Sequence, residues 1–229
     1  MNHDALITLL QFSDGLFPAG GFAHSFGLET YVQLGKVQTA EEIKDFIRTY
    51  LEGSAGPCDA VAAVAALSLG QSEDLDGCFS LDLVLDAMKP VAEFREASRQ
   101  MGRQSLRVAA HLFPNRLLRV VFEWVEGDQI PGHHALAFGL IGSQVGWSPE
   151  SAATAYLYTT TSLLVGAALR LLPVGQLEGQ KIISSMAPTI SRLAHTAKDK
   201  RVGDLWSFAP GIEIAGMNHS TLEARLFRS

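Results

Sequence analysis

Histidines, carboxylates and arginines are the groups that could do chemistry in this chain, and their spacing decides which chemistry is open to it. The seven histidines are His3, His24, His111, His133, His134, His195 and His219. Only His133 and His134 are adjacent, and neighbours on a helix point about 100° apart, a poor chelate. The spacing therefore predicts no structural metal site and no stably bound cofactor. A nickel carrier using surface histidines (His133, His134 or His219) is the alternative reading. Acid–base catalysis needs a carboxylate and an imidazole within hydrogen-bond reach, and Asp14, His24 and Glu29, beside a glycine-rich loop, are the one set that invites it. Gly35-Lys36 is followed by Val37, so no GxxxxGK(S/T) phosphate loop exists; GxSxG, HExxH and EF-hand patterns are absent too. Catalysis is not expected.

Three features suit gripping rather than reacting. The first is the run LFPAGGFAHSFGLE over residues 16–29. Gly20-Gly21 lets the backbone turn sharply or approach a neighbour closely, and Phe22, Phe26 and Glu29 follow on adjacent turns. It is either a tight loop capping a core helix or a rigid recognition loop. The second is a ladder, Arg95, Arg99, Arg103 and Arg107. A spacing of four drifts about 40° per step on a helix, so these form one slanting stripe. Guanidinium forks on such a stripe suit acidic partners, although Glu93 and Glu96 could neutralise part of it. The third is the tail, RLFRS over residues 225–229. It is cationic and carries Leu226 and Phe227, whose full exposure would forgo roughly 1.5–3 kcal/mol of burial each. Such a tail is either docked on its own domain or waiting for a partner.

Helices must position these groups, because strand signals hardly occur. Apolar periodicity and punctuation predict helices near 3–12, 23–34, 40–53, 59–69, 81–88, 91–112, 115–125, 133–145, 149–172, 176–186 and 189–199. Thr39-Ala40-Glu41-Glu42 is a capping box. Ser148-Pro149 supplies an N-cap with proline at N1. Gly53 to Pro57 is expected to break one helix, 71–80 to form a loop and 202–217 to be irregular. Ser220-Thr221-Leu222-Glu223 is expected to cap a last short helix. No linker, charge block or repeat divides the chain. The prediction is an all-α single-domain bundle of about ten helices over residues 1–229, with a central apolar helix at about 149–172 and a flexible tail at about 218–229.

Bulk properties agree with an interaction protein. The chain has 229 residues, ample for a core. Hydrophobic residues make up 47% and charged ones 18%, below the roughly 25% charge of typical soluble domains. Either extra apolar interface or a large helical core accounts for this. The net charge of −6 argues against general nucleic-acid binding. Two cysteines, Cys58 and Cys78, form no zinc ribbon or redox pair, which suits reduced thiols in the cytoplasm. The N-terminal MNHDALITLLQFSDG lacks the basic start and cleavage site of a signal peptide. Residues 152–169 are uncharged, but they contain four threonines and serines in a row, 159–162, and stop at Arg170. A buried helix is expected there rather than a membrane span, which needs about 20 predominantly apolar residues.

Five stretches in order resemble the urease accessory protein UreF family. They are LQFS at 10–13 leading into 17–29; REASRQMG at 95–102; AYLY at 155–158 with AALRL at 167–171; PVGQ at 173–176 with the Gly-Gln pair at 179–180; and AGMNH at 215–219 leading to RLFRS. Ala23-His24-Ser25 departs from the Ser-Tyr-Ser type of segment expected there, which leaves the role of position 24 open. The resemblance implies an all-α, non-enzymatic homodimer. It implies partners: a UreD/UreH-type accessory protein, the GTPase UreG and apo-urease, with nickel handled by the assembled complex. It also implies a partner-binding role for Pro18, Gly20, Gly21, Phe22, Ser25, Gly27, Glu29, Arg95, Arg99, Gln176, Arg225, Leu226, Phe227, Arg228 and Ser229. The tail is expected to dock on the UreD/UreH-type partner and order on binding. The Gly20-Gly21 loop, Glu29 and the arginine ladder are expected to meet the GTPase.

Overall fold

A computed structural model of the chain describes residues 2–229. Among them run eleven α-helices and no strand: α1 (His3–Ser13), α2 (Leu28–Gln33), α3 (Ala40–Tyr50), α4 (Val61–Gln71), α5 (Leu75–Ala87), α6 (Ala92–Leu112), α7 (Arg116–Glu126), α8 (His134–Val145), α9 (Pro149–Leu171), α10 (Gln176–Ala197) and α11 (Pro210–His219). The helix α9 starts where Ser148 Oγ accepts the Ser151 N–H at 3.1 Å, with Pro149 at N1. It separates two apolar clusters. Ala153, Leu157, Leu164 and Val165 face α3 and α10, while Ala152, Ala155 and Tyr156 face α4 and α8. The hydroxyls of Thr159, Thr160 and Thr161 donate to carbonyls one turn back, at 2.9, 2.9 and 2.8 Å, so they enter the core without losing partners. This helix is long and apolar enough to cross a membrane, and it is the packing centre of the bundle.

Small residues set the closest helix contact. A Cβ at Gly139 of α8 would lie 2.1 Å from the Ala63 carbonyl of α4, so no larger residue fits without moving a helix. The Thr39–Glu42 capping box is present at the start of α3.

Several boundaries differ from the sequence expectation, each for a tertiary reason. Gly53 to Pro57 does not break the chain direction: residues Leu51–Ala60 form a π-helical segment joining α3 to α4. Pro57 lies inside this segment, and Phe208 N–H donates to the Gly53 carbonyl at 2.7 Å, tying the segment to the stretch before α11. The expected pair of helices at 176–186 and 189–199 is the single helix α10, with Pro188 on its exposed side. The polar stretch at 71–80 opens α5, because Asp74 accepts the Gly77 N–H at 2.8 Å. The irregular segment at 202–217 contains α11, started by Pro210. The expected last helix does not form, since Thr221 Oγ1 donates to Asn218 O at 2.7 Å and residues 220–229 take another path.

Candidate partner-binding surface

The loop at 16–29 is not one helix. Gly20 and Gly27 both have φ of +87°, a backbone that side-chained residues avoid, and they bracket a single 3₁₀ turn, Gly21–Ala23. Phe26 also lies in the left-handed region, at φ +49°. Such strain persists only where the surroundings over-determine it. Here the Phe26 ring packs against Tyr50, Phe94 and His24, with centroids 5.7, 5.5 and 5.9 Å away. α2 therefore begins only at Leu28.

What this loop holds is the tail. The N–H groups of Ser25 and Phe26, at 2.6 and 3.1 Å, converge with the Ser25 hydroxyl, at 2.7 Å, on the Ser229 carbonyl-position oxygen. His24 Nδ1 pairs with Ser229 Oγ at 2.9 Å, which gives position 24 its structural role. Burial lowers the His24 pKa to about 4, with the nearby Arg228 charge adding to the effect, so the ring is neutral at pH 7. Arg228 N–H donates to Ala23 O at 2.9 Å. Arg170 donates to Phe22 O and stacks its guanidinium 4.1 Å from the Phe227 ring centroid.

Glu29 is the buried anchor. Its carboxylate receives Leu226 N–H at 2.7 Å, Phe227 N–H at 3.0 Å and His219 Nε2 at 3.0 Å. Burial pushes the Glu29 pKa up, but the donors from Leu226, His219 and Phe227 outweigh it and hold the carboxyl below its ordinary value. His219 Nδ1 reaches Glu93 at 2.7 Å, and Arg225 reaches the other Glu93 oxygen at 3.1 Å. A chain of side chains, Glu29–His219–Glu93–Arg225, thus ties α2, α11, α6 and the tail together.

The flexible tail expected from sequence is corrected: Phe227 and Ser229 are buried in their own domain, because Glu29, Ser25 and Arg170 supply the partners. Glu29 sits beneath the tail and offers no carboxylate to a second protein. Leu226 stands 60% exposed, while Phe227, at the bend beside it, points in at 4%. Phe22 is 73% exposed and Leu16 is 92% exposed. Pro18 is exposed, Gly20 and Gly21 are half-buried, and Ser25 and Gly27 are buried. Gln176 is exposed at the start of α10, and among the described residues no hydrogen bond joins it to loop or tail.

The arginine ladder is largely spent inside the molecule. Arg95 donates to Lys89 O at 2.8 Å. Arg99 grips Asp86 through Nε, at 3.0 Å, and Nη2, clamping α6 to α5. Arg103 holds Val125 O and Asp128, each at 3.0 Å. Only Arg107 stands exposed as the expectation had it. The surface-histidine alternative also fails, because His133, His134 and His219 are all buried. His133 is held between Ser98 and Asp86, each at 3.0 Å, and burial with the Lys89 charge lowers its pKa to about 3. The acid–base trio does not gather either: Asp14 is exposed, His24 faces Ser229, and Glu29 faces the tail and His219. Sequence reasoning named His219 only as a possible nickel ligand and Glu93 only as a neutraliser of the ladder, missing that they pair with each other, and it gave no role to Arg170 or Asp86. Their partners lie far off in the chain; the AGMNH run held His219 and the AALRL run held Arg170, while no motif carried Asp86.

The domain is an all-α bundle whose own tail is locked into the loop at 16–29, with the apolar side chains of Phe22 and Leu226 left outward. Comparison with known proteins carries this further. The UreF family profile matches residues 37–187. The chain is 31% identical over 224 residues to a urease accessory protein UreF of Bacillus sp. (strain TB-90), covering 98% of this chain and 99% of that one. It is 33% identical to the UreF proteins of Trichodesmium erythraeum, over 96% of this chain and 95% of that one, and of Corynebacterium glutamicum, over the full length of both. The chain belongs to the UreF family of urease accessory proteins.

Proposed function

We propose that this protein is a urease-maturation chaperone, a cytoplasmic, homodimeric scaffold. In this reading it joins a UreD/UreH-type accessory protein to a UreG-type GTPase and regulates GTP-dependent nickel insertion into apo-urease. It is not an enzyme and stably binds no cofactor of its own; nickel is cargo of the assembled complex. One observation supports the reading best: the loop and tail form a single composite surface, with Phe22 and Leu226 outward beside Arg225 and Arg228. Exposed aromatic and aliphatic groups flanked by arginines on a rigid support are typical binding anchors. We assign this surface to the UreD/UreH-type partner.

The test is capture of purified UreD/UreH-type and UreG-type partners, with and without GTP, by the wild type and by Phe22→Asp and Leu226→Asp. Both side chains are exposed, so neither change alters the fold. Capture of the UreD/UreH-type partner should weaken at least about tenfold at unchanged Tm, the scale of a lost hot spot. Full retention of capture by both variants would refute the assignment. Deleting residues 225–229 is a poorer test, because it also removes the packing of Phe227 and Ser229.

A further inference from the structure

A cavity of about 490 Å³ lies between the loop and α9, with Arg170, which also stacks on Phe227, at its edge. Its size falls within the roughly 300–1,000 Å³ of small-molecule sites. The apolar lining comes from Phe12, Phe17, Phe22, Met101 and Leu163. The polar lining comes from Ser13, His134, Thr159 and Ser162. Asp14 and Arg170, both exposed, stand on its solvent side with opposite charges.

The side chains of Ser13 and His134, both lining the cavity, make no hydrogen bond to a described residue. Ser13 is buried, and its Oγ is the single buried side-chain polar atom without a hydrogen bond among the described residues. His134 is 6% exposed, and no described residue bonds either ring nitrogen; only its backbone N–H contacts Ser98 Oγ, at 3.4 Å. Buried polar groups are rarely left so. Burial, with the Lys89 charge adding to it, lowers the His134 pKa to about 4, so this ring is neutral at pH 7. Gly166 gives an independent sign. It sits inside α9, where glycine is disfavoured, and a Cβ there would meet nothing within 4 Å. No packing contact requires a glycine at this position, and its missing side chain leaves the cavity open.

We propose that this cavity is a binding site for a small uncharged aromatic molecule carrying a hydroxyl or amide group. The ring fits among Phe12, Phe17, Met101 and Leu163. The polar group meets the Ser13 hydroxyl and the His134 imidazole, each able to donate or accept. The facing charges of Asp14 and Arg170 cancel and favour no net charge on the ligand.

The test uses the full chain with methionine methyls labelled with ¹³C, titrated with 2-naphthol and, as a control, naphthalene. Met101 lines the cavity, while Met88, Met186 and Met217 lie elsewhere and serve as references. The Met101 methyl alone should shift, with single-site saturation, and naphthalene should bind about tenfold more weakly. Gly166→Leu should fill the cavity and abolish the shift while the reference methyls keep their positions. Ser13→Ala should weaken 2-naphthol and leave naphthalene unchanged, a readout that holds even if Gly166→Leu misfolds. The proposal is overturned by an absent or non-saturating Met101 shift, by equal affinity for the two probes, or by unchanged binding in Gly166→Leu. It is also overturned if Gly166→Leu loses partner capture while the wild type ignores 2-naphthol, because the cavity then receives a partner's side chain.

Discussion

Replacing Glu29 with glutamine tests the tail lock without adding or removing a heavy atom. Three donors converge on two oxygens: Leu226 N–H on one, and Phe227 N–H with His219 Nε2 on the other. An amide offers one oxygen and one NH₂, so at least one donor set must face another donor. Hydrogen bonds to a charged acceptor contribute about 1.5–3 kcal/mol, and a buried donor left unpaired costs about 1–3 kcal/mol. A loss of about 2–4 kcal/mol follows, which is roughly a 30- to 1,000-fold rise in tail opening. Hydrogen exchange read by mass spectrometry measures this directly. Peptides covering 220–229 should exchange faster by that factor in Glu29→Gln, while peptides from α8 and α9 keep their protection. The same release should occur in the wild type on acidification. A carboxyl whose folded pKa is depressed contributes stability above its unfolded value, 4.5, and loses it as pH falls through the folded value. Unchanged tail exchange in Glu29→Gln, or an equal loss of protection across all helices, would refute the lock.

Two further outcomes follow from the buried charges. Arg99→Ala removes the fork on Asp86 and should cost about 1–3 kcal/mol, roughly 2–10 °C in Tm for a chain of this size, with partner capture unchanged per folded molecule; an unchanged Tm with lost capture would return the ladder to partner binding. Stability should fall from pH 6.5 towards pH 5, because His24, His133 and His134 have folded pKa values lowered from 6.5 to about 4, 3 and 4. The unfolded chain takes up these protons first, so this stability is present above about 6.5 and is lost on acidification. Asp82 works the other way, its pKa raised by burial from 3.8 to about 6 against the pull of the Gly132 and His133 N–H groups. Three protons against one leave a slope of about 2–3 kcal/mol per pH unit near pH 5, and urea midpoints that stay flat or rise across that range would contradict it.

Which features were legible in the sequence depended on how local their causes are. The Thr39–Glu42 box and the Ser148-Pro149 start act within one turn, so residue types were enough to place them. Pro57 was misread because the segment is held from elsewhere: Phe208 N–H bonds the Gly53 carbonyl, and the helix widens instead of stopping. The loop was legible as glycine-rich, yet the left-handed turn at Phe26 was not, since the rings of Tyr50 and Phe94 and the Ser229 oxygen that hold it there come from distant parts of the chain. The candidate surface shows the same division. Leu226 and Phe227 were legible as an apolar tail. Their opposite fates were not, because Glu29 lies 197 residues before Leu226 and His219 meets Glu93 across 126.

The docked tail alters the energetics of any complex made through this surface. Ordering a free backbone costs about 1–2 kcal/mol per residue, so a loose segment of six residues would lose roughly 6–12 kcal/mol of its contact energy on binding. Here residues 224–229 are already held, from Gln33 on Ala224 O at 2.8 Å to Ser25 on the Ser229 oxygen at 2.7 Å. A partner that meets Leu226 and Phe22 finds them placed, and a small contact area then suffices for tight binding. Buried positions such as Glu29 and Ser25 consequently influence recognition without touching the partner: they set the fraction of molecules whose tail is seated, and binding weakens in proportion to that fraction.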